Sequence, residues 1–499
     1  MGTPVREDTR LSLWRHVRTH AVPPSMIETA TARRLAGDWA GACAAAAVDL
    51  DLTPRAVART HGTALAARVR ADLRRLAPDL LRWHLPRTAP DGLLRPGLTV
   101  TLAVYADHEP PGGRGPRPVH LVARTAPAWA DAGQRISLAL WDGPPGGTPP
   151  PRRSPYAPAL AAHPHPHPSP RFRLDLHRHL WDAGRAGELR ARSGADRRPA
   201  LPAGPGEPPG PGWAVDRWAA EARLLLAADG RAAGPVLVRL GARHRLLVTP
   251  EPDGGVRTAP APAGRRPGTG RGDRPDLRPP LLPDAATWTP PDLALLRAGL
   301  ITPDDLHPLV AEALIPGHRP APGGRAEPPE SGTRFVECQG RRHRVGLVGG
   351  VLTPLDHDPA ELRREELLAA LSGTPMPCLR VIDAAHRDPE NLDAVRARLA
   401  HGDTSGALTA VEALLGPGAV LRDGPLRQAL ERAAARRVLH GLYRAGLRVT
   451  GPDTVPEPPP PAVPDPDRGR PRRTRRPRAT DPAPRPLDHR GHPRHALAR

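Results

Sequence analysis

Proline and glycine break this chain too often for a single packed core of its length. Pro is 70 and Gly is 49, together 119 of 499 residues, which places the sequence at the edge of the low-complexity range of roughly 25–30%. Aromatic residues make up only 3%, so few large side chains are available to fill an interior. One 499-residue core is therefore excluded, and small packed units on Pro/Gly-rich linkers remain. The expected fold class is α+β: several small units, with an N-terminal helical part, a β-rich middle, and a β-hairpin with helices that occurs twice.

The periodicities divide the chain as follows. Residues 9–90 read as a helical unit, with an apolar stripe opening at Leu11, Leu13, Trp14 and Val17 and capping-box spacing at Ser25 and Glu28. Thr53-Pro54 starts a helix carrying Val57, Leu65, Val69 and Leu73. Residues 91–182 read as β-rich, with alternation at Leu98–Tyr105, Val119–Thr125, Arg135–Trp141 and Arg171–His177. They surround an insertion at 142–170 that is expected to be disordered. A linker at 195–212 precedes a helix and β-meander at 213–258. A linker at 259–284, a helical pair at 285–316 and a linker at 317–332 follow. Residues 333–446 read as a second β-meander with helices. Residues 451–499 hold 14 Pro and few apolar side chains, too few to offset ordering entropy, so a disordered tail is expected.

The two meanders share a sequence. Gly241-Ala242-Arg243-His244-Arg245-Leu246-Leu247-Val248 matches Gly340-Arg341-Arg342-His343-Arg344-Val345-Gly346-Leu347 in the pattern G-x-R-H-R-[LV]-x-[VL]. Each copy should be a hairpin with His244 and His343 at equivalent places, on the face of the apolar residues and opposite the arginines. A shorter resemblance joins Leu35–Ala42 to Leu399–Ala407. Both read as helix, Gly-Asp corner, helix, which resembles a single tetratricopeptide-type hairpin. A solenoid needs about three such repeats, so helix-corner chemistry is the reading taken.

The formal charge of +20 and pI near 11.3 would ordinarily point to nucleic acid. All 72 basic residues are Arg, however, and Ile, Asn and Phe are almost absent. That is the signature of GC-rich codons, and it discounts the basic signal. In this composition, and in phrases such as Trp141-Asp142-Gly143 and Ala298-Gly299-Leu300, the chain resembles proteins of high-GC actinobacteria. The resemblance implies no activity.

Candidate sites are few. His163, His165 and His167 alternate with Pro, and His177 and His179 follow, but no Cys or carboxylate stands at ligand spacing. Asp356-His357-Asp358 invites a catalytic or metal reading, yet Asp358-Pro359 is also a complete helix start. Asp356 and His357, with His244 and His343, are kept as site candidates. Cys43, Cys338 and Cys378 lie far apart, which argues against a disulfide framework and a thiolate zinc site. Cys338 and Cys378 read as small buried hydrophobes. Neither a metal nor a cofactor is expected. In the tail, Arg472, Arg473, Arg475 and Arg476 could contact phosphate. No secretory signal and no apolar run near the 20 residues of a membrane span is present, so a cytoplasmic protein without membrane contact is expected. The leading functional expectation is a non-catalytic scaffold or accessory protein with protein partners. Sequence-nonspecific nucleic-acid binding is the alternative, and an enzyme of unrecognised type is third.

Overall fold

The computed structural model describes residues 4–106, 118–131, 134–143, 163, 167–196, 212–241, 244–261, 279–319 and 334–447. The expected insertion and linkers lie largely outside these residues, and the expected disordered tail lies wholly outside them. Among the described residues the chain is α+β, with several small sheets and helices.

Six helices open the chain: α1 (Pro4–His20), α2 (Pro24–Leu35), α3 (Trp39–Ala45), α4 (Pro54–His61), α5 (Thr63–Arg75) and α6 (Pro78–His84). They pack on a four-stranded sheet of β1 (Val48–Leu50), β4 (Thr99–Tyr105), β5 (Val119–Thr125) and β6 (Ile136–Trp141), in the order β1-β6-β5-β4. The short β2 (Arg87–Thr88) and β3 (Leu93–Leu94) pair with each other. β1 interrupts the region read as helical and runs parallel to β6, with Val48 opposite Ile136. Arg171–His177, read as a strand, is not one. It lies along the edge of β4 through a single bridge from Thr101 to Arg173, and its alternation records the burial of Phe172 and Leu174.

One apolar core unites Trp14, Trp83, Leu102, Leu121 and Trp181 with Leu295, Val310 and Leu314. The last three come from α10 (Pro291–Arg297) and α11 (Pro308–Leu314). They follow α7 (Leu189–Ser193), α8 (Val215–Ala228) and α9 (Asp284–Thr287). A second core joins Trp218 and Leu225 of α8 to Val236, Val238 and Val248. These valines belong to the first meander, β7 (Val236–Arg239), β8 (Arg245–Pro250) and β9 (Val256–Pro260).

The second meander is β10 (Arg334–Cys338), β11 (Arg341–Val348) and β12 (Val351–Pro354). Helices α12 (Pro359–Ser372), α13 (Pro377–Arg387), α14 (Leu392–His401), α15 (Thr404–Leu415) and α16 (Pro425–Arg444) follow. The Gly-Asp corners have one chemistry. Asp38 accepts from Gly41 N at 2.8 Å and Asp403 from Gly406 N at 2.9 Å, each capping the second helix of its pair. Arg33 and Arg398, each five residues upstream, reach those same carboxylates. The buried Arg82 donates to the carbonyls of Ala21, Gln134 and His401, which ties the α14–α15 corner to the N-terminal helices.

The meander meets α15 with no space to spare. Gly416, at φ +91°, ends α15, and a Cβ there would stand 0.8 Å from the carbonyl oxygen of Gly350. Gly416→Ala combines a left-handed residue with a clash against backbone. It should cost at least about 2 kcal/mol in urea unfolding. Gly37→Ala, where nothing lies within 4 Å, should cost only the backbone term of about 1–2 kcal/mol.

Candidate metal centre

The second meander gathers four side chains from four places. The two-residue turn Gln339-Gly340 has positive φ at both residues (54° and 74°), the geometry of a tight hairpin. It closes β10 on β11 with Cys338 opposite Arg341 and Val336 opposite His343. Cys338, Val336, His343 and Val345 therefore share one face, and Cys338, His343 and Val345 are buried.

Asp356 follows β12 and accepts from the Arg344 backbone N at 2.7 Å and from its guanidinium at 2.6 Å. This exposed carboxyl is held down to about 2 by the hydrogen bonds from Arg344. The pairing pins the turn to β11 and so places His357, whose side chain is 1% exposed. Asp358 then caps α12 by accepting from Ala360 N, as its sequence requires. Cys378 stands in the first turn of α13, after Pro377, and is fully buried.

The two sulfur atoms and one imidazole nitrogen, from Cys338, Cys378 and His357, all lie within 4.8 Å of one another. The ring of His343 stacks on His357 with centroids 4.1 Å apart and planes 18° apart. His343 Nδ1 and His357 Nε2 are buried with no hydrogen-bond partner. The other nitrogen of His357, Nδ1, faces Glu361 Oε2 at 3.6 Å. Burial, then the neighbouring Cys338, pushes the Cys378 thiol up to about 12. A neutral, buried thiol is a poor nucleophile.

Two sulfurs and one imidazole are three donors of the kind zinc takes, and His343, stacked on His357, is the neighbouring imidazole. Bond lengths of about 2.3 Å to sulfur and about 2.0 Å to nitrogen put tetrahedral donors about 3.5–3.8 Å apart. A contraction of at most about 1.3 Å brings the three donors to that spacing. Two buried nitrogens without partners are otherwise a cost of about 1–3 kcal/mol each, which a metal ligated by them removes. Glu361 stands where a carboxylate orients a ligating histidine.

The remaining candidates separate from this group. Asp356 supports it from outside through Arg344. His244 does not occupy the place of His343. It is exposed, and its carbonyl accepts from Leu240 N at 3.0 Å. Arg245 pairs with Arg239, whereas its sequence counterpart Arg344 pairs with Phe335. The hairpins thus differ by three residues in register, because only the second turns on two residues. Arg239 stands in the first copy where Cys338 stands in the second, and among the described residues the first copy has no such cluster. Cys43 is buried elsewhere, between the N-terminal helices. His163 gives its Nε2 to the Thr125 carbonyl at 3.0 Å, and His177 pairs with Glu221. His165, Arg472, Arg473, Arg475 and Arg476 lie outside the described residues.

The expectation that distant cysteines cannot share a site holds for sequence spacing only. Cys338 and Cys378 are 40 positions apart, and the sheet and α13 bring them together. No family model, curated protein or solved structure matches the chain. Among the described residues no helix is long and apolar enough to cross a membrane.

Proposed function

We propose that this chain is a metal-binding, non-catalytic scaffold or accessory protein, in which a zinc ion held by Cys338, Cys378, His357 and His343 fastens the second meander to α13. The observation that carries the reading is the convergence of Cys338, Cys378 and His357 donors within 4.8 Å in a fully buried setting. His343, whose ring stacks on His357, would be the fourth ligand, and four protein ligands leave no open position for substrate, which is the character of a structural site. Support for a protein partner comes from α12. It buries none of its residues and exposes Leu367, Leu368 and Leu371, while Leu362 packs inward on the meander core. Exposed apolar clusters of this kind mark protein contacts.

Cobalt substitution tests the metal. The full-length chain should take up one equivalent of Co(II) and show a sulfur-to-cobalt charge-transfer band in the near ultraviolet. Zinc should displace it. Glu361→Gln keeps the shape of Glu361 and removes its charge. It should weaken the metal by about 10–100-fold, the usual effect of losing a carboxylate behind a ligating histidine. Uptake of cobalt without a sulfur band would reject the site.

A further inference from the structure

The N-terminal body holds a cleft that shares no residue with the metal centre. It has a volume of about 380 Å³ and lies between α5, the end of β4 and the segment after Arg171. Ala71, Ala103, Val104 and Tyr105 supply its apolar surface, and Arg68, Arg75 and Arg178 stand at its wall with Asp72 and Asp175.

The two acids at the wall already have donors. Asp72 accepts from the Tyr105 hydroxyl at 2.8 Å, from Arg178 Nη2 at 2.5 Å and from Arg75 Nη2 at 3.2 Å. Asp175 is held by Arg173 at 2.8 Å, and Arg173 also reaches Asp229, which lies outside the cleft. The buried Asp182 takes a second bond from Arg178 at 3.1 Å.

The donors are not all used. Arg68, exposed on α5, forms no ion pair or hydrogen bond among the described residues. Its guanidinium is held over the Tyr105 ring, 5.1 Å from the ring centre. Nη1 of Arg75 and Nη1 of Arg178 also make no hydrogen bond among the described residues. The cleft therefore presents N–H groups with no acceptor beside carboxylates that are already paired. An ionised carboxylate accepts without donating, and its two oxygens match the planar guanidinium fork. One unpaired guanidinium calls for one negative charge. A phosphate dianion would bring its second charge against Asp72 and Asp175.

We infer that this cleft is a binding site for a small organic monocarboxylate, with its carboxylate on Arg68 and its apolar body against Ala71, Ala103 and Val104. The volume falls within the range of small-molecule sites, about 300–1,000 Å³. It is well above the roughly 150 Å³ that admits benzene, so a one-ring acid has room.

Benzoate and its neutral analogue benzamide are the probes, used on the full-length chain at low salt with calorimetry and ligand-detected NMR. Benzoate should bind saturably at one site with a Kd of about 1 mM or tighter. It should bind at least about tenfold more tightly than benzamide, which cannot make the charge-assisted pair. Arg68→Gln should weaken benzoate by about tenfold for the same reason, and Ala71→Trp should fill the cleft and block it. Arg70→Gln removes the same charge from the same helix at a position outside the cleft, and should leave the affinity within about twofold. All three positions are exposed, so the variants should keep the circular dichroism of the parent. The assignment fails if benzoate does not saturate, if benzamide binds as well, if inorganic phosphate binds more tightly, or if Arg68→Gln weakens binding no more than Arg70→Gln does. Benzoate binding that survives Ala71→Trp would place the ligand elsewhere and overturn it equally. None of these outcomes bears on the metal centre, which is tested through cobalt.

Discussion

Chelation should loosen the second meander and α13 while leaving the β1-β6-β5-β4 sheet intact. In small zinc modules the apparent metal-binding energy, about 10–16 kcal/mol, is folding energy, because no site exists in the unfolded chain. That figure is an upper bound here. Val345, Met376 and Ile382 give the meander an apolar core of its own, so part of its stability survives without metal. The core is small, however, and removing the ion returns two orphaned imidazoles and two adjacent thiols to a dry interior. A loss of at least about 3 kcal/mol is expected. Hydrogen exchange with and without a strong chelator locates it. Amides of Phe335–Leu347 and Cys378–Arg387 should lose protection, and those of Thr99–Tyr105 should not. Cys338→Ser and Cys378→Ser should each reproduce the chelated pattern and no longer respond to chelator. His343→Ala separates the fourth ligand from a mere neighbour, since a ligand's loss weakens the cobalt sulfur band's titration and a neighbour's loss does not. Identical exchange with and without metal would remove the centre from the account of this fold.

The strands at Thr99–Tyr105, Val119–Thr125 and Ile136–Trp141 were legible because each pairs period-two alternation with turn residues at both ends. The Gly-Asp corners were legible because a cap is local chemistry, settled within three residues of Asp38 or Asp403. Val48-Asp49-Leu50 was not, since three residues carry no period. Arg171–His177 misled for the opposite reason. Alternate burial of Phe172 and Leu174 imitates a strand in a segment whose backbone only leans on β4. The candidate centre was half legible. His343, Asp356 and His357 stood out as residue types in turn-rich settings. Their two sulfur partners did not, because short Cys spacings mark only sites built on one turn. The duplicated G-x-R-H-R pattern suggested equivalence, and two different loop lengths cancelled it.

Asp292→Ala should be among the most damaging single substitutions in the N-terminal body, costing about 3–5 kcal/mol. Arg18 on α1 donates Nε and Nη2 to the two oxygens of Asp292 on α10, at 2.7 and 2.8 Å. The side chains are 2% and 1% exposed. Trp83 Nε1 donates to the same carboxylate at 3.1 Å, and Arg18 returns a hydrogen bond to the Trp83 carbonyl. The guanidinium also lies 4.4 Å from the Trp83 ring centre and 5.1 Å from that of Trp14. Such a pair gives little net stability over an apolar filling, because both ions were taken out of water. Its removal from one side is another matter. Without the carboxylate, the Arg18 guanidinium is left unmatched in a place that water does not reach, and Trp83 N–H loses its acceptor. Asp292→Asn keeps the volume and one acceptor oxygen, so it should cost less than alanine while still leaving the charge unmatched. The exposed pair of Arg334 and Glu390 gives the comparison, and Arg334→Ala should change stability by no more than about 0.5 kcal/mol. Chemical unfolding of the three variants measures the difference. A cost for Asp292→Ala as small as that of Arg334→Ala would mean that α10 does not seat on α1 in solution. Residue 18 and residue 292 are joined only by the fold, so this result would test the packing of the N-terminal core directly.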